Sequence, residues 1–374
     1  MAKPSHVGII IAGGGTGGHL FPGIAVAQAA KRLDPGVRVL FVGTDKPFER
    51  DATQRAGFEH KSIAVEGLKR RSLWNKLIAL VKLVGAIFTS FGIIWKFSPD
   101  IILGVGGYAS APCLLAGFLM GKKLAIQEQN VAPGITNKIL GRLVGRIYAS
   151  FNESGQFFPG SKIRVTGNPV RLSFMDGLSG EKAPESSAAP AFTVLVTGGS
   201  QGAHGMNTAV AEALKTEALR LAGISFIHQT GEADLAMMEE AYRGWGGRYV
   251  VQAFFHDMDR RYAATDLVVC RAGATTVAEL TALGKPAVFV PFPFAADNHQ
   301  EKNARALEAS GAARVIIQKD LSRKVFADTV IELSENPSAL REMAEASKRL
   351  GRPRAAMDIA ADMAAWISGP EKPL

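Results

Sequence analysis

Twice in this chain an apolar run of strand length ends in a cluster of glycines and passes straight into an alanine-rich helix. The first unit is GGGTGGHLFPGIAVAQAAKRL, residues 13–33, preceded by the apolar run from His6 to Ala12; the second is FTVLVTGGSQGAHGMNTAVAEAL, residues 192–214. A strand-to-helix turn of this kind points backbone N–H groups away from the sheet, and the helix N-terminus adds about half a positive charge. Each turn therefore invites an anion, phosphate above all. Gly13, Gly15 and Gly18 also satisfy G-x-G-x-x-G, which admits a dinucleotide fold.

At 374 residues the chain suits about two domains of ~150 residues each. Further short apolar runs, separated by helix-like segments, lie at 37–43, 99–107, 123–129 and 146–151 in the first half. In the second half they lie at 225–231, 249–255, 267–273 and 286–293. This alternation predicts βαβ units and parallel sheets: an α/β protein of two Rossmann-like, doubly wound domains facing a cleft. MDGLSGEKAPESSAAPAF, 175–192, lacks apolar periodicity and reads as a linker or domain edge. The expected division is a first domain over 1–172, a linker over 173–190 and a second domain over 191–350. Two phosphate-facing turns suit an enzyme that holds two phosphate-bearing molecules together. A nicotinamide-dependent dehydrogenase is the alternative, but it needs one such loop and an acidic ribose ligand ~20 residues past it. Asp45, after Gly43-Thr44, comes later than that.

The 43 basic against 34 acidic residues give a net charge of +9, which favours an anionic partner: nucleic acid, an acidic membrane surface or a phosphorylated substrate. Cys113 and Cys270 lie in apolar runs and read as buried thiols in a reducing compartment, without zinc spacing. The N-terminal apolar run flows into the glycine loop and does not resemble a signal peptide. In 73–97, Lys76 and Lys82 interrupt the apolar character, leaving an uncharged part, 83–95, shorter than the ~20 residues a bilayer span needs. Leu73, Leu77, Leu80, Val81, Val84, Ile87, Phe88, Phe91 and Ile94 recur there at helical spacing. Trp74 and Trp95 stand near the ends, with Lys69, Arg70 and Arg71 just before. Such a face either packs on a sheet or sinks into lipid headgroups.

His19, at the first turn of its helix, is either a helix-start residue bonded to backbone or a base that takes a proton from an attacking sugar hydroxyl. In RAGATTVAELTALGKP, 271–286, Gly273, Ala274, Thr275 and Thr276 form another strand-to-helix turn, with Glu279 one turn inside. Thr276 and Glu279 can close a capping box; alternatively the carboxylate accepts the hydroxyls of a ribose while the turn donates to a diphosphate. His299 and Gln300, in PFPFAADNHQEKNARAL, are placed to read sugar hydroxyls. Asp257 and Asp259 have D-x-D spacing and read as helix-start carboxylates rather than metal ligands.

GGGTGGHLFPGIAVA, LGVGGYASAP, QEQNVAPGITNKIL, GNPVR, VTGGSQGAHGMN, VVCRAGATTVAEL and DNHQEKNA occur in this order, and the stretch from residue 8 to about 320 thereby resembles the MurG-type transferases of peptidoglycan synthesis. The resemblance implies a GT-B glycosyltransferase of family 28 with an inverting mechanism and neither metal nor cofactor. Its substrates would be UDP-N-acetylglucosamine and undecaprenyl-linked lipid I, which becomes lipid II. It further implies a peripheral position on the cytoplasmic face of the membrane, against an anionic surface, with no nucleic acid partner. By position, Thr16, Gly17 and Gly18 would approach the donor sugar and acceptor diphosphate, Asn130 the N-acetylglucosamine, Arg171 the donor and Ser200 its diphosphate. Phe255 and the Gly273–Thr276 turn would meet uracil and phosphate, Glu279 the ribose and Gln300 a sugar hydroxyl. His19 is similar to the family's proposed base, and residues 351–374 to a C-terminal helix that returns to the first domain. Gln127 departs from the pattern: the family commonly has histidine there, and glutamine keeps a hydrogen bond but cannot titrate.

Overall fold

The computed structural model describes residues 6–65, 73–172, 174, 192–295 and 298–369, with backbone alone at 73–81, 218 and 219. The 175–191 part of the linker and the Lys69–Arg71 cluster lie outside the described residues. The chain divides into two compact units, Met1–Leu172 with Arg352–Leu374, and Ser173–Gly351.

In the first unit the strands are β1 (Gly8–Gly13), β2 (Arg38–Gly43), β3 (Glu59–Ser62), β4 (Ile101–Gly106), β5 (Lys123–Glu128), β6 (Arg146–Ala149) and β7 (Ile163–Val165). Its helices are α1 (Gly17–Leu33), α2 (Pro47–Arg55), α3 (Leu73–Phe97), α4 (Ser110–Leu119) and α5 (Ile135–Leu140). The second unit holds β8 (Phe192–Thr197), β9 (Ile224–Gln229), β10 (Tyr249–Gln252), β11 (Leu267–Cys270), β12 (Ala287–Phe289) and β13 (Ala313–Val315). Its helices are α6 (His204–Thr216), α7 (Ala218–Leu221), α8 (Leu235–Trp245), α9 (Met258–Ala263), α10 (Ala274–Leu283), α11 (His299–Ala309), α12 (Arg323–Ser334) and α13 (Pro337–Leu350). The last helix, α14 (Ala355–Ser368), belongs to the first unit.

Both sheets are parallel throughout, in the orders β3-β2-β1-β4-β5-β6-β7 and β10-β9-β8-β11-β12-β13. In each, strand order reverses beside the strand that carries a glycine turn: between β1 and β4, and between β8 and β11. Parallel sheets bind ligands at the carboxyl ends of such switch points, so both glycine turns stand where the topology opens a crevice.

The period of two along β1 sends Ile9 and Ile11 into a core with α1 and α14, through Ile24, Ile359 and Met363. Ile10 and Ala12 enter another, with Ile94 of α3 and Leu114 of α4. Polar bonds fasten α14: the Tyr148 hydroxyl donates to Asp362 (2.7 Å), Arg146 pairs with the same carboxylate, and Lys123 donates to the Trp366 carbonyl (2.7 Å). Val194 and Val196 anchor the core of the second unit beneath α6, α8 and α12. Cys113 and Cys270 are buried free thiols, and burial pushes the Cys113 thiol up to about 12 and Cys270 further.

Helix α3 divides the face expected of it. Ile94 is fully buried and Ile87 and Phe91 pack against the core, whereas Val84, Phe88 and Trp95 point outward, the last two 71% and 82% exposed. The side chains of Leu73, Trp74, Leu77, Leu80 and Val81 lie outside the described residues. Among the described residues no helix is long and apolar enough to cross a membrane.

Candidate active site

Backbone closure of the first glycine turn comes before any ligand. Gly14 N–H donates to the Gly106 carbonyl (3.2 Å) and Gly15 N–H to Oε1 of Glu49 (2.6 Å). Glu49, fully buried, also accepts from Thr44 N–H (2.9 Å) and the Thr44 hydroxyl (2.6 Å), while Lys46 Nζ donates to the Gly15 carbonyl (2.9 Å). Two N–H groups expected to face phosphate are thus spent inside the protein. The anion-facing role moves to the start of α1, where Thr16 is the N-cap in extended conformation without a side-chain cap bond, and Gly17 begins the helix. Asp45 is a surface carboxylate 3.6 Å from Arg50.

His19 lies three residues past that cap. Its ring rests on the end of β4, where a Cβ on Gly106 (φ +93°) would stand 2.7 Å from Nδ1, which is why glycine is required there. Nδ1 is 3.2 Å from Oε1 of Gln129. Gln129 Nε2 donates to the Val105 carbonyl (2.7 Å) and to Gln127 Oε1, and Gln127 Nε2 donates to Asn168 Oδ1 (3.0 Å). Gln127, fully buried, is therefore an uncharged link in a chain of amides leading to the histidine. Arg171, close behind Asn168, lays its guanidinium 4.5 Å from the ring centroid of Phe21 on α1. Thr16, Gly17, Gly18, His19 and Arg171 are accordingly associated with one end of α1.

Asn130 is held to Glu128: its N–H (2.9 Å) and Nδ2 (3.3 Å) both donate to Oε1, and Asn137 Nδ2 donates to Oε2 (2.8 Å). Burial raises the Glu128 carboxyl above the usual range, against the hydrogen bonds that favour its charge. Glu49, Glu128 and Gln129 were not singled out from sequence. The signal available was the two-residue period of QEQN, which puts Gln127 and Gln129 on one side of β5 and Glu128 on the other.

In the second unit Ser200 is exposed at the tip of the turn after β8. Gln229 braces that turn, donating to the Gly199 carbonyl (3.0 Å) and the Thr197 hydroxyl (3.2 Å) and accepting Phe255 N–H (2.9 Å). Phe255 is 1% exposed beneath the Arg261 guanidinium, 4.7 Å from its ring centroid, so its ring offers no face for a base to stack on. Behind the turn runs a polar chain, exposed at His204 and buried from Asn207 to Tyr242. The His204 ring and Asn207 Nδ2 both meet the Asp234 carboxylate, and Asn207 Oδ1 faces His228 Nε2 (3.1 Å), whose Nδ1 faces the Tyr242 hydroxyl (3.0 Å). Burial pushes His228 down to about 3.

The capping box does not form. Gly273 is the N-cap of α10, Ala274–Thr276 already belong to its first turn, and no side chain caps it. Glu279, buried, instead meets the Tyr262 hydroxyl at 3.4 Å. Gln300 Oε1 accepts Phe292 N–H (3.0 Å), tying α11 to the loop after β12, and His299 is the first residue of that helix. Arg271 holds the same loop through the Val290 and Pro291 carbonyls (3.0 and 3.1 Å). Asp257 is the N-cap residue of α9, with its carboxylate 2.9 Å from Arg261 rather than on a backbone N–H, and Asp259 lies in the first turn.

Two family models match the chain: the glycosyltransferase family 28 N-terminal domain over residues 9–149 and the C-terminal domain over residues 193–359. A protein of Syntrophus aciditrophicus (strain SB) named UDP-N-acetylglucosamine--N-acetylmuramyl-(pentapeptide) pyrophosphoryl-undecaprenol N-acetylglucosamine transferase is 45% identical, over 96% of this chain and 99% of its own length. A protein of Myxococcus xanthus (strain DK1622) with the same name is 44% identical, over 94% of this chain and 91% of its own. Among solved structures, the crystal structure of Acinetobacter baumannii MurG aligns with a TM-score of 0.72 at 28% identity, covering 96% of this chain and 99% of that one.

Proposed function

The chain belongs to glycosyltransferase family 28, and on that premise we propose that it moves N-acetylglucosamine from UDP-N-acetylglucosamine to the C4 hydroxyl of lipid-linked muramoyl-pentapeptide, turning lipid I into lipid II. The observation that carries this reading is the near-full-length likeness to transferases of that name. The two glycine turns, each at the switch point of its own sheet, supply the chemistry such a transfer needs.

The acceptor oxygen attacks the anomeric carbon as its bond to the UDP β-phosphate oxygen breaks, inverting the centre in a single displacement. His19 takes the hydroxyl proton. The diphosphate leaves with the bonding electrons, stabilised by backbone donors and helix N-termini at the Ser200 turn and at Gly273–Thr276. Glu279 holds the ribose, Gln300 reads a sugar hydroxyl through its amide nitrogen, and the Phe255 segment meets uracil through its main chain. From the N-terminal unit, Thr16, Gly17 and Gly18 approach the sugar and acceptor diphosphate, Asn130 the N-acetylglucosamine, and Arg171 the donor.

The acceptor's lipid requires a surface at the membrane. Outward-facing Phe88 and Trp95 of α3 share the N-terminal unit with exposed Phe118, Leu119, Ile135 and Ile139 on α4 and α5. Lys96, Lys122 and Lys138 are carried on or just past the same helices. Exposed aromatic, aliphatic and basic residues of this kind fit the interface of an anionic bilayer, on its cytoplasmic face. Incubation with radiolabelled UDP-N-acetylglucosamine and a lipid I analogue should give labelled lipid II product. Donor binding without transfer, or transfer to diacylglycerol instead, would refute the assignment.

A further inference from the structure

We infer that Gln129 is a positioning residue that fixes His19 as the Nδ1–H tautomer and so leaves the imidazole lone pair on Nε2. Gln129 is 2% exposed, and its Nε2 stands 2.7 Å from the Val105 carbonyl, an oxygen that can only accept. That contact settles which end of the amide is nitrogen. The second partner agrees: Gln127 Oε1 accepts from the same Nε2, while Gln127 Nε2 is directed at Asn168 Oδ1. Reversing either glutamine would set donor against donor or acceptor against acceptor in a site closed to water.

With its nitrogen so held, Gln129 presents Oε1 to His19 Nδ1 at 3.2 Å. An amide oxygen only accepts, so Nδ1 carries the proton, and a neutral imidazole has just one. Free histidine favours the other tautomer; the backbone carbonyl of β4, acting through one buried amide, reverses that preference. Gly106 completes the seat, because a side chain there would collide with Nδ1 and Cε1 of the ring (2.7 and 2.9 Å from a Cβ). Gln127 keeps this relay free of ionisable groups.

The kinetic consequence rests on His19 being the base, whereas the tautomer does not. Long-range 15N–1H correlation spectra of protein labelled at histidine nitrogen, with His19 assigned by the signal lost in His19→Ala, should show a protonated Nδ1 and an unprotonated Nε2 at neutral pH. Gln129→Met should move that signature toward the Nε2–H form. It should lower kcat by roughly tenfold or more, as expected when a catalytic histidine loses its tautomer, with KM for UDP-N-acetylglucosamine held within about twofold. An Nε2–H spectrum in the unaltered protein overturns the inference without any variant needing to fold. So does an unchanged signature in Gln129→Met. If His19→Ala leaves turnover intact while the Nδ1–H spectrum is present, the base assignment fails and the tautomer assignment stands.

Discussion

His228 shows how a buried polar residue can matter to stability without touching a substrate. Asn207 gives both hydrogens of its amide away, to the Thr230 carbonyl and Asp234, so its oxygen must accept from His228 Nε2, and the Tyr242 hydroxyl then donates to Nδ1. Such a ring is neutral, and burial holds its folded-state value at about 3, below an ordinary value of 6.5. The unfolded chain therefore binds the proton first as pH falls: stability is complete above about pH 6.5 and drains away toward pH 3. One group contributes a slope of about 1.4 kcal/mol per pH unit inside that window. His228→Gln, which can still donate and accept, should have a shallower pH dependence between pH 6 and 4 by about that amount. Urea unfolding followed through Trp245, which packs on Phe226 and Tyr242, would measure it, and parallel slopes would sink the argument. At this scale residues were singled out from sequence where their type suggests a chemistry, as with the proposed roles of His19 and Glu279. Glu49, Gln129 and Gln229 were not, because an amide or carboxylate becomes a brace only through long-range partners: Glu49 reaches Gly15 across 34 residues, Gln129 reaches His19 across 110.

Strands with apolar runs were readable and those without were not. β3, β7 and β13, reading EHKS, IRV and ARV, are sheet edges, covered on one side of the ladder only, so they need no continuous apolar run. Helix α3 is subtler. Its apolar period was visible, but period alone cannot divide a broad stripe between protein and lipid. The fold makes the division at Ser90 and Ile94, both fully buried, leaving Phe88 and Trp95 outside. Replacing Phe88 and Trp95 with serine should leave the melting curve in place and weaken flotation with anionic vesicles by roughly tenfold or more for each ring, given about 1.5–3 kcal/mol for burying such a side chain. Ile94→Ala should do the reverse, costing about 2–5 kcal/mol of folding stability. Retained flotation in the Phe88/Trp95 double variant would remove this face from the membrane.

The alternation of strand and helix, and its restart at Phe192, made the two-sheet plan readable because parallel strands need a crossover connection, usually a helix. A different kind of information decides where the last helix goes. AAMDIAADMAAWIS carries an apolar face but nothing that names its partner, since alanine and methionine pack against either unit equally well. The choice is made by particular groups on the first unit: Tyr148 and Arg146 converge on Asp362, Lys123 meets the carbonyl end of the helix, and a Cβ on Gly145 would stand 2.7 Å from the Trp366 ring. Residues contributed by the far end of the chain thus complete the core beneath β1 and α1, the elements that carry the first glycine turn and His19. A chain ending at Gly351 loses buried Ile359 and Met363 from that core, each worth about 2–5 kcal/mol, and leaves Tyr148 and Arg146 facing a gap. Its loss should therefore be felt in the first unit alone. Hydrogen exchange of amides in β1 and β4 should quicken by about two orders of magnitude or more, while β8 and β11, whose neighbours are untouched, keep their protection. UDP binding, assigned to the second unit, should survive as transfer to lipid I fails. Equal loss of protection in both sheets would show instead that the units unfold as one body, and that α14 stabilises the whole chain rather than the half that holds the proposed base.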